Sequence, residues 1–252
     1  MTQITVVSSE LPHILGMREE YRREMDAQIV HDSWHKRGFT TSYLCRLDDT
    51  VVGYGAVGGV PPDPKDIVKE FYVERAHRRF ALPLFRELIA VSGARRIHAQ
   101  TNDALLTLML LDCGTDWTSD AILFADAITT TLPPPDGVTL RPISRDEHGR
   151  VFTHTAEPVG EWGLECDSGE IAATAGFLCH YNPPYGDVYM EVDERYRRRG
   201  FGSYLVQEVK RLCRESGRVP AARTNIENVA SRRTLERAGL LPCARILRAR
   251  VK

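Results

Sequence analysis

The chain has 252 residues, 42% of them hydrophobic and 27% charged, with a formal net charge of −1. This is the composition of an ordinary globular protein, and no apolar run approaches the roughly 20 residues of a membrane span. The charge is divided: residues 195–252 hold 16 Lys and Arg against four Asp and Glu, a local balance of +12 that leaves −13 upstream, so a polyanionic partner is expected at the C-terminal part.

In chain order, Met1–Glu10 lacks the basic-then-apolar layout of a signal peptide, and the expected address is the cytoplasm. His31 and His35 lie four apart on a predicted helix, with Trp34 between them and no third ligand in the pattern, so no metal is expected. The six cysteines, at 45, 113, 166, 179, 213 and 243, have no C-x-x-C spacing, and neither a zinc site nor a disulfide frame is expected. "TTTLPPPDGV", Thr129–Val138, stops any helix or central strand and reads as a linker at 132–137. It separates a domain at 1–131 from one at 138–252.

Beyond the linker, Thr139–Ile143 reads as a strand and Ser144 as the cap of a short helix reaching Thr155. "GEIAATAGFLCHYN" reads as a strand, "PPYG" as a tight turn and "DVYMEV" as a strand with period-two alternation. After the basic turn "RYRRRGFG", Leu205, Val206, Val209, Leu212 and Cys213 fall at helical spacing, and the helix ends near Ser216-Gly217. A strand at Ala221–Ile226, a helix at Ala230–Arg237 closed by Gly239, and a strand at Ala244–Val251 complete the chain.

The two halves align. "KEFYVERAHRRFALPLFREL", Lys69–Leu88, overlays "VYMEVDERYRRRGFGSYLVQEV" so that Val73 falls on Val192, Arg78 on Arg197 and Arg79 on Arg198. "LLDCG" ending at Gly114 matches "ERAGL" around Gly239. The shared order of strand, Arg-rich turn, helix, strand, helix and Gly reads as a duplicated unit.

A strand that feeds a glycine turn opening a helix leaves backbone N–H groups without partners. With the positive end of the helix dipole they make an anion site, and glycine lets a phosphate approach the backbone. Arg197, Arg198 and Arg199 add side-chain pairing to phosphate oxygens.

These residues resemble the GNAT superfamily of acyl-CoA-dependent N-acetyltransferases. The Gln/Arg-x-x-Gly-x-Gly/Ala signature stands here as Arg197-Arg198-Arg199-Gly200-Phe201-Gly202 after Val192, and Asn-x-x-Ala/Ser as Asn228-Val229-Ala230-Ser231. The resemblance covers residues 138–252 and reaches residues 1–131 through the repeat. It implies an α/β fold of the α+β type, two tandem units each with a mixed, mostly antiparallel twisted sheet flanked by helices. It also implies that the amides of Arg198–Ser203 hold the coenzyme A pyrophosphate. The strand before the turn would splay from its neighbour at a bulge and pair Met190–Val192 with the pantetheine arm, with Asn228 and Ser231 as further polar contacts.

In the first copy, Gly200 becomes Ala81, Gly202 becomes Pro83 and Arg199 becomes Phe80. Proline has no N–H to donate, so the first copy is expected to keep the fold and to have lost coenzyme binding. For the chemistry, the Val192 N–H is the expected oxyanion donor and Glu191, the carboxylate inside the strand, the expected base. The position matching the family's acidic tyrosine is Leu235, and that matching a glutamate before the Asn is Arg223.

The expected function is transfer of an acetyl group from acetyl-CoA to a primary amine by direct attack in a ternary complex. The alternative is a non-catalytic acyl-CoA-binding sensor or scaffold. The basic tail lacks the interleaved aromatics of a nucleic-acid surface, so neither nucleic acid nor a membrane is an expected partner.

Overall fold

The structure, a computed structural model, describes residues 2–252. The first half runs β1 (Ile4–Ser9), α1 (Leu15–Arg23), α2 (His31–Lys36), β2 (Thr40–Leu47), β3 (Thr50–Gly58), β4 (Ile67–Val73), α3 (Ala81–Ser92), β5 (Arg96–Gln100), α4 (Ala104–Cys113) and β6 (Gly114–Asp126). The second runs β7 (Val138–Pro142), β8 (Trp162–Cys166), β9 (Ile171–Leu178), β10 (Tyr185–Val192), α5 (Phe201–Glu215), β11 (Val219–Asn225), α6 (Val229–Arg237) and β12 (Leu240–Val251). Two compact units result: unit 1 takes the residues up to Ile122 together with Ala244–Lys252, and unit 2 takes Leu123–Cys243. The expected division at 132–137 assigns Leu123–Thr131 to the first half and Ala244–Lys252 to the second; the structure groups both segments the other way.

In unit 1 the sheet order is β1-β2-β3-β4-β5-β12. β1 to β4 are antiparallel, β4 and β5 parallel, and β5 and β12 antiparallel. All seven residues of β4 are buried, because helices cover both faces of the sheet. Leu84, Phe85 and Leu88 of α3 and Leu106 and Leu110 of α4 join Val52, Phe71 and Val73 in one core, where the Phe71 and Phe85 rings meet edge-on at 4.9 Å. On the other face Tyr21 and Met25 pack with Leu44, Tyr54 and Tyr72.

One carboxylate of β4 is buried between these helices. Glu70 is wholly buried, and the Arg18 guanidinium holds it with two 2.9 Å bonds while the Tyr54 hydroxyl donates at 2.8 Å. His31 and His35 do share a face, and both approach Glu70, at 3.2 and 3.3 Å. Arg18 already neutralises that carboxylate, and no group of residues suited to hold a metal occurs among the described residues.

In unit 2 the order, starting from the Leu123–Asp126 end of β6, is β6-β11-β10-β9-β8-β7, with β7 to β10 antiparallel and β10 and β11 parallel. Each unit therefore has the mixed, mostly antiparallel sheet expected, with helices against it. α5 buries Phe201, Leu205, Val206, Val209 and Cys213 along one stripe; truncating fully buried Leu205 to Ala costs about 2–5 kcal/mol. The repeat extends to single bonds: Arg78 Nε donates to Val73 O at 3.1 Å, and Arg197 Nε to Val192 O at 3.2 Å.

Three local expectations change. The proline segment is strapped onto α5 by Gln207, which accepts from the Leu132 N–H at 2.7 Å and donates to its carbonyl at 3.2 Å. The helix expected over Ser144–Thr155 is a short 3₁₀ helix, Arg145–Arg150, because the segment after it is held by side chains from β9 and β10. β8, which the sequence reading did not identify, follows this segment in the chain and precedes β9.

Candidate active site

β10 and β11 pair only at Tyr185–Val219, Gly186–Pro220 and Asp187–Ala221, although both strands run on. Beyond Asp187 they open into a wedge. On its other side β10 stays in unbroken register with β9, from Asp187–Leu178 to Val192–Ala173, so the splay is present and the expected bulge is absent from this ladder. The Asp193 N–H bonds Ala172 O at 3.0 Å. Since backbone groups alternate sides along an antiparallel strand, the N–H groups of Met190 and Val192 point away from β9, into the wedge.

The wedge walls include Glu157, Tyr189, Met190, Arg223, Ser231 and Leu235, around a narrow cavity of about 20 Å³. That is room for about one water.

At the wedge's open end the chain turns into α5. Arg198 and Gly200 take left-handed backbone angles, φ +63° and +85°. At Gly200 this conformation costs no Cβ strain. The first helical bond is from the Tyr204 N–H to Gly200 O, 3.1 Å, and no side chain caps the helix. The amides of Phe201, Gly202 and Ser203 thus precede the helical ladder. A Cβ on Gly202 would lie 3.1 Å from Thr234 Cγ2 and 3.3 Å from both Met190 and Val192 side chains, which makes glycine the fitting residue there.

Arg197 is tied to Val192 O and to Glu194 at 3.1 Å. Arg198 and Arg199 are exposed, and the Arg199 guanidinium lies 5.3 Å from the Tyr196 ring. Asn228 caps α6 by accepting the Ser231 N–H at 3.0 Å; Ser231 faces the wedge and Asn228 stays exposed beside it.

Glu191 is buried, and its carboxylate accepts four hydrogen bonds: Thr155 N–H at 2.8 Å, Thr155 Oγ1 at 2.9 Å, Ala156 N–H at 3.2 Å and Glu157 N–H at 3.0 Å. Burial pushes its pKa up, but these donors outweigh burial and hold it below the usual value. With its oxygens engaged by these donors, Glu191 anchors the 155–157 segment.

That anchor brings Glu157 to the wedge wall. Although the residue is exposed overall, its carboxyl is partly desolvated there, and its pKa is raised by burial first and then by the Asp187 charge. Buried Asp187, at the apex, is pushed up to about 6 by burial, against the opposing pull of Arg223 at 3.2 Å. Tyr189 rises to about 12 through burial and then the charges of Glu161 and Glu157. Sequence reasoning missed Glu157 because it lies in an irregular segment with no motif. Leu235 and Arg223, singled out as departures from the family pattern, both line the wedge.

The corresponding place in unit 1 carries different side chains. β4 and β5 pair at Ile67–Arg96 and Val68–Ile97, and just beyond, Lys69 Nζ sits 2.9 Å from His98 Nδ1 and 4.1 Å from the centre of the Trp34 ring. The turn Arg75–Phe80 is a 3₁₀ helix that runs directly into α3, with no left-handed residue. Pro83 sits in the first turn of α3.

Compared with protein families, residues 127–240 match the acetyltransferase (GNAT) family. No curated protein matches. An acetyltransferase of the GNAT family from Colwellia psychrerythraea superposes with a TM-score of 0.74 at 13% identity, over 99% of this chain and 100% of that one. A tandem GNAT protein from the clavulanic acid biosynthesis pathway gives 0.62 at 14% identity, over 98% of each chain. At such identities the likeness is one of fold. Residues 127–240 thus match the GNAT family, and the chain along its whole length is similar in fold to GNAT acetyltransferases.

Proposed function

We propose that unit 2 transfers an acetyl group from acetyl-CoA to a primary amine, on a small molecule or an exposed amino group, by direct attack in a ternary complex. The observation that carries this reading is one run of unpaired backbone donors, from Met190 and Val192 in the wedge to Phe201–Ser203 at the start of α5. These residues fit the cosubstrate: the α5 amides suit the pyrophosphate, Arg197 to Arg199 add positive charge, and Met190 and Val192 suit an amide-bearing arm. Asn228 and Ser231 lie where that arm would pass.

Acetyl-CoA, when bound, supplies the acyl group as an activated thioester. The Val192 N–H stabilises charge developing on the acyl oxygen. Glu157, unpaired and with a raised pKa, takes the proton from the amine. Glu191 holds Glu157 in place. No hydroxyl occupies the position of Leu235, so the thiolate leaves without a dedicated acid; a thiol's ordinary pKa near 8.5 permits this.

The wedge at about 20 Å³ widens to admit the arm. Unit 1, with Pro83 in the turn and no left-handed residue before it, binds no coenzyme. Leu235 also favours a second reading, an acyl-CoA-binding sensor without turnover. Thiol release from acetyl-CoA in the presence of a panel of primary amines tests between them: amine-dependent release supports the transferase, and tight binding without release supports the sensor.

A further inference from the structure

Unit 1 carries an open cavity of about 620 Å³, distant in sequence from every residue of the proposed transferase site. Its floor follows from strand register. Val7 pairs with Leu44, Ser9 with Ser42, and Arg46 with Val51, so Val7, Ser9, Leu44, Arg46 and Val51 share one face of the sheet, opposite the face that α3 covers. The strand register shifts next to Arg46, where Val52 is the extra residue; such bulges re-aim side chains. The chain leaving β1 supplies the wall, with Glu10 and with His13, whose Nδ1 lies 3.0 Å from Ser9 Oγ.

Arg46 sets the chemistry. It is half-buried, and its Nε is sealed from solvent without a partner. Neither a hydrogen bond nor an ion pair to the Arg46 side chain occurs among the described residues. Elsewhere in unit 1, half-buried Arg22 and Arg78 and buried Arg18 all have carboxylate partners. A partly desolvated guanidinium without a counter-ion, in a concave site, calls for an anion. It is the sole cation of the arginine or lysine type on these walls, and Glu10 would repel a second negative charge. Val7, Leu44 and Val51 offer apolar surface beside it.

We propose that this cavity binds a small aliphatic monocarboxylate, with Arg46 pairing the carboxylate, the Ser9–His13 pair as a further polar contact, and the three apolar side chains covering the alkyl part. The site is independent of coenzyme binding in unit 2.

The experiment is saturation-transfer NMR on the full chain with sodium butyrate as probe, and with butylamine and inorganic phosphate as comparisons. Butyrate is expected to show transfer and butylamine none, with phosphate at least about tenfold weaker than butyrate. Arg46→Met is expected to weaken butyrate at least about tenfold, the loss of a charge-assisted bond, and Arg46→Lys to weaken it less. Circular dichroism and the melting temperature report whether each variant is folded, and if Arg46→Met does not fold, Arg46→Gln replaces it. Absence of butyrate transfer, equal binding of phosphate, or unchanged butyrate binding in a folded Arg46 variant overturns the proposal.

Discussion

The Glu157 backbone N–H and the Glu191 carboxylate, 34 residues apart, are joined by a 3.0 Å hydrogen bond. One glutamate therefore fixes the position of the other, and the two must respond differently to substitution. Glu157→Gln removes the proton acceptor and is expected to lower kcat by about 10²–10⁴-fold, with coenzyme affinity and exchange of the 155–157 amides unchanged. Glu191→Gln replaces one accepting oxygen by a donor, so it is expected to speed exchange of those amides and raise the acceptor KM. Kinetics and hydrogen exchange on both variants check this. The reverse pattern would return the base role to Glu191.

The charge next to Glu157 sets a pH dependence. Burial, and then the Asp187 charge, raise the Glu157 pKa, and the base is active when deprotonated, so kcat/KM rises with pH across a limb above the ordinary carboxylate range. Asp187→Asn removes the like charge. The limb is then expected to move to lower pH. A limb that stays in place in that variant would show that another group titrates.

At the coenzyme turn, Gly202→Pro deletes an amide donor and places a ring where Thr234, Met190 and Val192 leave no room for even a Cβ without adjustment. Loss of coenzyme affinity by at least about tenfold is expected. Pro83→Gly in unit 1 restores a donor but leaves the 3₁₀ turn and the Lys69–His98 pair in place, so calorimetry with coenzyme A is expected to find one site per chain in both wild type and Pro83→Gly. A second site appearing in Pro83→Gly would mean that proline alone had closed unit 1.

What could be read from the sequence was local. The turn at Arg197–Gly202 and the cap at Asn228 announce themselves because their residues are contiguous and their backbone needs are specific to Gly and Asn. Glu191 drew notice as the one carboxylate within its strand, but its partners sit 34–36 residues upstream, and no spacing reveals them. The same distant bonds undo the expected Ser144–Thr155 helix. Thr155 N–H goes to Glu191 and His154 Nε2 meets Thr174 Oγ1 at 2.7 Å, which draws the chain out of helical register. Likewise β12 reads as a strand by composition, while its pairing with β5, Ile246 to Gln100 and onward, depends on residues nearly 150 positions away.

The Lys69–His98 pair, just beyond the last β4–β5 pairing of unit 1, has a cost that varies with pH. Burial first, then the charges of Arg248 and Arg96, push Lys69 down to about 7 from 10.5. Between those values the unfolded chain binds a proton that the folded chain does not, so stability rises with pH across this window, and the whole penalty stands below it. Lys69→Met keeps the volume and removes the charge. It is expected to be more stable than wild type at pH 7 by a few kcal/mol, with the gap closing toward pH 10.5, as read by urea unfolding at several pH values. A gap that does not change with pH would mean that Lys69 is charged in the folded chain throughout. A variant less stable at pH 7 would mean that the bond to His98 and the contact with Trp34 outweigh the burial of the amine.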